Sequence, residues 1–532
     1  MKLSKSTYIR GKSCAKFAYL AKQLPLMKPE IPPSLELKYL NGNEVGKLAR
    51  DLYEGGVDIS QGGNLFGYDL LEPTAKAISS GHKILYEAAF EADGSLLKYF
   101  NKTAYTGHLF FTADIVVICK DKIKVFEIKS STKLKEPQHV YEFGFQSLVM
   151  RNCNSLKALG HGDKKIEFYF VCLNPDYRMG DELNINKLFK IENVTRRCLD
   201  VEILILEDLV DFKESFLLAK EPKERKGAHC VADGICPFFS TCWKTDVKNT
   251  ILSIGGLTKW KINNLAANNI LTLNKLSEKN EELTYNQWAT LESNINGTIK
   301  RNLKELGRYS DKWNLDSHHH FINFEFFQPG VPRFPEMAPY QAIPFQLCTL
   351  SRKTSGGTIE RTDFLETPGL DPRLNFLRAF LITTQQRGNI FYFDKGVRLN
   401  KKDAIFYYPK ISILKKMAEQ YPDYKEDLWE RIDRMINISE PFEKRWYYDP
   451  NQLGSDEWNA IVRLFLDDFD LSTLPFGNAE AAKLNYVRYE SLDLKNQILT
   501  RRALPEYCFH NTLALVNIVD RFYGDLNMRK AA

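Results

Sequence analysis

The apolar and polar positions of residues 108–150 are what the rest of the chain is arranged around. Two apolar runs, Thr112–Cys119 and Lys122–Ser130, flank the polar pair Lys120-Asp121, which predicts a β-hairpin closed by a two-residue turn. In that register Cys119 faces Lys122 and Asp114 faces Glu127, and facing side chains share one side of the sheet. Lys129, two residues beyond Glu127, joins the same side. Ile115, Val116, Val117 and Ile118 are apolar on both faces, which marks a strand covered on both sides.

Around the hairpin the pattern predicts a succession of short elements. Residues 3–24 read as a capped helix, a break and a second helix that starts at Cys14. Residues 44–56 read as a helix ended by Gly55 and Gly56, and Glu72–Ser80 as a short helix leading into a strand at Ile84–Phe90. A helix carrying Gln146 follows the hairpin, and Lys165–Leu173 is a further apolar strand. Residues 252–276 resemble a helix-hairpin-helix element, with Gly255-Gly256 as the hairpin, Leu265 and Ile270 as apolar contacts, and Lys259 or Lys261 near a phosphate. A small helical linker packed on its neighbours is the alternative. Residues 278–312 are a polar, helical connector, and from His320 a second α/β pattern begins. The triplet His318-His319-His320 predicts a solvated lead-in to a strand, because neighbouring side chains cannot all face one ion.

A chain of 532 residues is too long for one core, so two to four domains are expected. Its 44% hydrophobic and 26% charged residues describe a soluble globular protein, and no apolar run is long enough to span a bilayer. The N-terminal stretch lacks a signal peptide's apolar segment, so a cytoplasmic location is expected. A net charge of +6 permits nucleic-acid binding through local patches without requiring it. The ten cysteines of such a chain are not a disulfide framework, and most sit singly in apolar stretches. Cys230, Cys236 and Cys242 differ: they are closely spaced thiols, as metal ligands are.

Facing carboxylates destabilise a sheet unless something compensates them. Asp114 and Glu127, at the end of a covered strand, are suited to a hard divalent cation such as Mg²⁺ or Mn²⁺. Such an ion would polarise a phosphoryl oxygen and acidify a bound water, and Lys129 would position that water and stabilise developing charge. An ordinary hairpin with an Asp–Lys–Glu cluster on its solvent face is the alternative.

Thr112-Ala113-Asp114 followed by Glu127-Ile128-Lys129, each at the end of a hydrophobic strand, resembles the PD-(D/E)xK nuclease signature without its usual proline. The stretch from Phe126 to Met150 is similar to the RecB-type branch, whose strand ends in Lys-Ser-Ser and whose next helix carries a glutamine. The resemblance implies Glu87, Asp114, Glu127, Lys129 and Gln146 as catalytic residues, and Glu87, Asp114, Glu127 and Ile128 as metal ligands. RecB-like nucleases of the CRISPR-associated exonuclease and AddB kinds hold a [4Fe–4S] cluster with one cysteine before the core and three after it. Cys14, Cys230, Cys236 and Cys242 match that arrangement, and a four-cysteine zinc site or unligated thiols are the alternatives. The cluster would clasp the ends of the domain, with a redox role as a second hypothesis.

The segment beginning at Phe321 resembles a bacterial family of unknown function that joins a RecB-like front half to a DnaQ-like exonuclease fold. That resemblance extends over Asp371-Pro372-Arg373, Tyr447-Tyr448 and Gly454-Ser455. Where a DnaQ-like enzyme has Asp-x-Glu this chain has Asn323-Phe324-Glu325, and where it has Tyr-Cys-x-x-Asp the chain has Tyr507-Cys508-Phe509-His510-Asn511. Asp394 and Asp433 fill the middle positions. Two Asp-to-Asn changes at ligand positions predict weak or no metal binding, and a structural or substrate-gripping domain.

The expected architecture is therefore α/β. Residues 1–248 form a restriction-endonuclease-like nuclease core with an iron–sulfur clasp, 249–315 a helical connector, and 316–532 an RNase H/DnaQ-like domain. The expected activity is metal-dependent hydrolysis of DNA at ends or single strands, in repair, recombination or phage defence. RNA is an open alternative substrate, no membrane is involved, and a helicase or defence-system protein is a candidate partner. The competing readings are a catalytically idle nucleic-acid-binding protein and a redox-responsive regulator.

Overall fold

The computed structural model of the protein describes residues 2–23, 31–94, 107–217, 221–223, 225–232, 235–279, 282–311, 313, 317–354, 356–398, 406–466 and 469–531. The expected helix end at Leu24 and the expected boundary at residues 315–316 lie outside these. Within them the fold is mixed α/β, and no helix is long and apolar enough to cross a membrane.

The first sheet has seven strands: β1 (Lys2–Ser4), β2 (Val57–Asp58), β3 (Ile84–Asp93), β4 (His108–Ile118), β5 (Lys122–Lys129), β6 (Lys165–Leu173) and β7 (Phe189–Asn193). Their spatial order is β2-β3-β4-β5-β6-β7. The hairpin pairs Ile115 with Phe126 through Ile118 with Ile123, the register the Lys120-Asp121 turn dictates. The long β4 changes partner along its length: β1 lies parallel to its first residues, Lys2 opposite His108, and β5 takes over from Ile115. Helix α1 (Lys5–Ser13) leaves β1 directly, capped by the Ser4 hydroxyl, and α2 (Ala15–Gln23) follows.

Both faces of the sheet are covered, as the four consecutive apolar residues require. Leu85, Val116 and Val125 pack with Phe143, Phe145 and Val149 of α5 (Gln138–Arg151). Tyr86, Ile115 and Phe126 pack on the other face with Val45 and Ala49 of α3 (Pro33–Ala49). That helix starts eleven residues before the expected one because Pro33 pre-sets its first turn, and it ends in a 3₁₀ turn, Arg50–Tyr53, before Gly55. Its two glycines, Gly42 and Gly46, hide it from propensity, and burial of Val45 and Ala49 holds it.

The second sheet has the order β10-β9-β8-β11-β12, from β8 (His318–Phe327), β9 (Ile343–Arg352), β10 (Glu360–Leu365), β11 (Gly388–Tyr392) and β12 (Met435–Asn437). β8, β9 and β10 are antiparallel neighbours, whereas β11 runs parallel to both β8 and β12. One face packs on α8 (Arg373–Thr383) and α9 (Pro409–Gln420), the other on the long C-terminal helix α10 (Leu494–Ala531). The histidine triplet is no solvated lead-in. It opens the central strand, and His319 and His320 are buried beneath the flanking layers.

Between the sheets, residues 228–291 have a small core of their own that includes Ile251, Ile262, Leu265 and Ile270. The expected hairpin of this region is displaced. The two helices, Lys259–Ala267 and Leu273–Glu278, meet at Asn269, which adopts the left-handed conformation, while Gly255-Gly256 joins a 3₁₀ turn to the first helix. Gly255 is needed for close approach to Gly454 of the second half, whose carbonyl Arg445 also binds at 2.6 Å. The close approach thus serves packing between segments.

Candidate functional site

In the first sheet three acidic residues lie side by side. The β3–β4 ladder pairs Tyr86 with Ile115 and Ala88 with Ala113, so Glu87 stands opposite Asp114, which the hairpin register in turn sets opposite Glu127. Residues two apart on a strand should share a face. Tyr86 and Ala88 instead lie in cores on opposite faces, and so do Ile115 and Ala113. Both strands therefore turn over at the acidic residue, and Glu87 itself has φ 54°, a left-handed conformation costly for a side chain with a Cβ. Where the strands diverge, Asp114 Oδ2 accepts the Ile128 N–H at 2.6 Å.

Glu127 is buried and held at both oxygens. Lys129 Nζ lies 2.9 Å from Oε1, Lys5 Nζ 2.6 Å from the same oxygen, and Gln146 Nε2 donates to Oε2 at 2.6 Å. Lys129 also binds Glu142 at 2.8 Å, one helical turn before Gln146. Arg50 links Glu87, at 3.3 Å, to Asp58, at 3.0 Å. The charges follow from this packing. Burial, then Glu127 and Glu87, push the Asp114 carboxyl up. Burial works against ionising Glu127, but Lys129 and Lys5 outweigh it and hold its pKa down. Lys129 is likewise held protonated against burial by Glu127 and Glu142. Burial raises Glu87, with Arg50 offsetting part of the effect.

The expected residues Glu87, Asp114, Glu127, Ile128, Lys129 and Gln146 are thus brought to one place. Lys5, Glu142 and Arg50 belong with them and were not foreseen. Glu142 had a signal, its i,i+4 spacing to Gln146. Lys5 had none, since it arrives through the non-local pairing of β1 with β4.

The donor set is all oxygen: three carboxylates and the Ile128 carbonyl, the chemistry of a site for Mg²⁺ or Mn²⁺. Mutual repulsion of the acids and the buried Gln146 Oε1, which has no hydrogen-bond partner, fit a divalent cation and its water ligands. Among the described residues no three His, Cys, Asp or Glu side chains are already gathered as a metal cage.

None of the four expected cluster cysteines is in a disulfide. Cys230 lies in the small core of residues 228–291, with Cys236 and Cys242 packed against it. Cys14 approaches from the start of α2, where Phe17 meets Phe238 edge-on at 5.4 Å. His229 sits between the first two thiols, its Nε2 3.5 Å from Cys230 Sγ. Burial alone would raise Cys14 and Cys230, but hydrogen bonds from His229 lower both. Cys236 is raised by burial and by repulsion from Cys230 and Cys14. Soft thiol donors converging from the two ends of the segment fit an iron–sulfur cluster in chemistry.

The second half has a polar pocket on β8. Asn323 Nδ2 donates to Glu325 Oε1 at 3.3 Å, and its Oδ1 accepts from Lys410 Nζ at 2.7 Å. Asp394 joins through the Lys410 N–H, 2.7 Å from its Oδ2, and burial pushes its pKa up to about 6. Asn511 is otherwise engaged, accepting from the Trp458 indole at 2.6 Å and donating to the Tyr507 carbonyl at 2.7 Å. Asp433, the last residue of its helix, is exposed and takes no part. The expected foursome of acidic ligand positions is therefore not assembled, and the donors do not fit a pair of divalent cations.

Residues 320–456 match the model of one family, described as Domain of unknown function (DUF2779). No curated protein and no solved structure matches the chain.

Proposed function

We propose that the chain is a metal-dependent nuclease that hydrolyses phosphodiester bonds of DNA at the Glu87–Asp114–Glu127–Lys129 site. The observation that carries this reading is the row of Glu87, Asp114 and Glu127 across three adjacent strands, with Lys129 2.9 Å from Glu127, where two strands turn over. A surface cluster on an ordinary hairpin would not be buried or strained in this way. Asp114, Glu127, Glu87 and the Ile128 carbonyl would hold Mg²⁺ or Mn²⁺, which polarises a phosphoryl oxygen and acidifies water when bound. Gln146 fixes the orientation of Glu127, and Lys129 stays protonated, able to stabilise negative charge on the phosphate. Lys5 brings a second ammonium to the same carboxylate.

Asp114→Ala and Lys129→Ala should each lower metal-dependent degradation of labelled DNA by about 10²-fold or more, with circular dichroism unchanged. Parent-rate digestion by Lys129→Ala would reject the assignment. Single-stranded, duplex, linear and circular substrates in the same assay would separate end-directed from internal cleavage.

The reading includes a [4Fe–4S] cluster at Cys14, Cys230, Cys236 and Cys242, supported by the meeting of the N-terminal helix pair with the cysteine segment. Protein purified without oxygen should carry about four iron and four sulfide per chain, and Cys236→Ala should bleach it. Stoichiometric zinc without sulfide would reject the cluster. For the second half, the strand order and the enclosing helices support the RNase H/DnaQ-like reading, and the occupied pocket supports a non-catalytic one. In Asp114→Ala, Lys129→Ala no metal-dependent exonuclease should remain; residual activity lost on adding Glu325→Ala would show the second half to be active.

A further inference from the structure

Glu127 has more donors than it can keep once an ion binds. A carboxylate has about four lone-pair positions, and three are taken: Lys5 at 2.6 Å and Lys129 at 2.9 Å share Oε1, and Gln146 holds Oε2 at 2.6 Å. A divalent ion on this carboxylate would lie about 2 Å from its oxygen, beside two ammoniums of the same sign. One of them has to yield. Lys129 has a second acid to hold it, Glu142 at 2.8 Å, whereas Glu127 Oε1 is the one hydrogen-bond acceptor of Lys5 among the described residues. Lys5 is therefore the ammonium that gives way. The backbone that carries it is fixed: β1 is paired with β4, the Ser4 hydroxyl accepts the Thr7 N–H at 3.1 Å, and buried Tyr8 stacks on Phe145 at 5.0 Å and donates to Asp208 at 2.6 Å. Release thus moves a single side chain.

The Lys5 side chain is 18% exposed and that of Glu127 4%, so Lys5 covers the carboxylate from its open side, where a strand must enter. The segment around it is basic. Residues 2–23 hold six Lys or Arg and no Asp or Glu, an excess equal to the +6 of the whole chain, and such a segment attracts a polyanion. Lys12 and Lys16 are paired with Asp208 and Glu221, which leaves Lys5 as the cation of this segment that reaches the site. We propose that Lys5 is a phosphate-binding residue: it pairs with Glu127 in the metal-free protein and, once a divalent ion occupies the carboxylates, turns its ammonium to a phosphate of the DNA strand. The ammonium, a compact charge on a flexible four-carbon stem, suits such an exchange of partners. This rests on the reading of the first site as a metal-dependent nuclease. Its consequence is that Lys5 strengthens DNA binding only when the ion is present.

The test is binding of a labelled single-stranded oligonucleotide to the full chain, by fluorescence anisotropy, in Ca²⁺ and in a chelator. In Ca²⁺, Lys5→Met should bind roughly tenfold more weakly than the parent, and its salt dependence should fall by about 0.7 in slope, the loss of one phosphate contact. In the chelator the two should bind alike, and Lys5→Arg should keep most of the gain that Ca²⁺ gives. An equal loss in both conditions would make Lys5 a structural residue and overturn the proposal. So would a Lys5→Met chain that does not fold in Ca²⁺, since the pair would then be one the protein cannot give up. A measurement on the parent needs no variant: brief acylation of amines, read by peptide mass spectrometry, should mark Lys5 more in Ca²⁺ than in chelator, and less again once the oligonucleotide is added. Equal marking in all three overturns the proposal. Mg²⁺-dependent cleavage by the parent is the control. If the parent cleaves and Lys5→Met binds as it does in Ca²⁺, the proposal falls and the nuclease reading stands; a parent that neither cleaves nor gains affinity with the ion overturns both.

Discussion

His320, on the central strand of the second sheet, has both ring nitrogens engaged: Nδ1 lies 2.8 Å from Ser351 Oγ and Nε2 2.9 Å from the Gln386 carbonyl oxygen. A carbonyl only accepts, so Nε2 carries a proton, and in the neutral ring Nδ1 accepts from the serine hydroxyl. Burial pushes its pKa down to about 4 from the ordinary 6.5. Below pH 6.5 the unfolded chain therefore takes up a proton that the native state refuses until about pH 4. The native state binds fewer protons across that window, so stability is lost as pH falls through it, by about 3 kcal/mol at most. Denaturant unfolding at pH 7 and pH 4.5 should show a smaller loss in His320→Gln than in the parent. Since other groups titrate in the same range, the difference between the two proteins is the readout, and equal losses would contradict the neutral ring.

At the scale of elements, two joints decide how much could be read in advance. The hairpin at Lys120-Asp121 is local, so its turn fixed which residues face each other, and Asp114 and Glu127 were legible together with Lys129. The partner change along β4 is non-local, because β1 pairs with β4 over more than a hundred residues, and Lys5 came with it unseen. The Gly255-Gly256 turn illustrates the opposite error. Its composition resembles a phosphate-binding hairpin, but the glycine is required by the second half pressing on it. A Cβ at Gly255 would overlap the Gly454 carbonyl oxygen and the Arg445 guanidinium, neither of which is free to move, since Arg445 is tied to the carbonyls of Phe442 and Gly454 at 2.6 Å each. Gly255→Ala should cost about 1–3 kcal/mol, the usual penalty of overpacking. Gly256→Ala has open space within van der Waals distance of its Cβ apart from Gln287 Nε2 at 3.9 Å, and carries only the strain of φ 78°. Thermal melts of the two variants should rank Gly255→Ala as the less stable, and the reverse order would mean that the docking contact is not what the turn is for.

At the scale of the molecule, the two halves meet at the first site. The loop from β8 to β9, residues 328–341, leans on the front half: the Gly330 N–H meets Asn41 Oδ1 at 3.2 Å, Arg333 pairs with Glu44 at 2.8 Å, and Met179 and Met337 are joined at 3.0 Å. At its end Tyr340, in the left-handed conformation, donates its hydroxyl to the Ser130 carbonyl at 2.5 Å, and the Ser130 hydroxyl, also at 2.5 Å, can donate back to it. Ser130 directly follows Lys129, so the second half holds the end of the strand that presents the lysine to Glu127. Composition and periodicity hold no trace of this contact, which links residues 210 positions apart. Tyr340→Phe keeps the ring and removes only the hydroxyl, at a stability cost of about 1–2 kcal/mol. If the hydroxyl positions Lys129, the loss in cleavage should exceed what such a cost implies. Single-turnover degradation of labelled DNA should fall roughly tenfold at 25 °C, where the variant is still folded, because small displacements of a reacting group are expensive. The substrate affinity of the same variant should change less than its cleavage rate. A variant that melts lower but cleaves at the parent rate would make Tyr340 a packing contact only, and would mean that the turn after Lys129 is held by the front half alone.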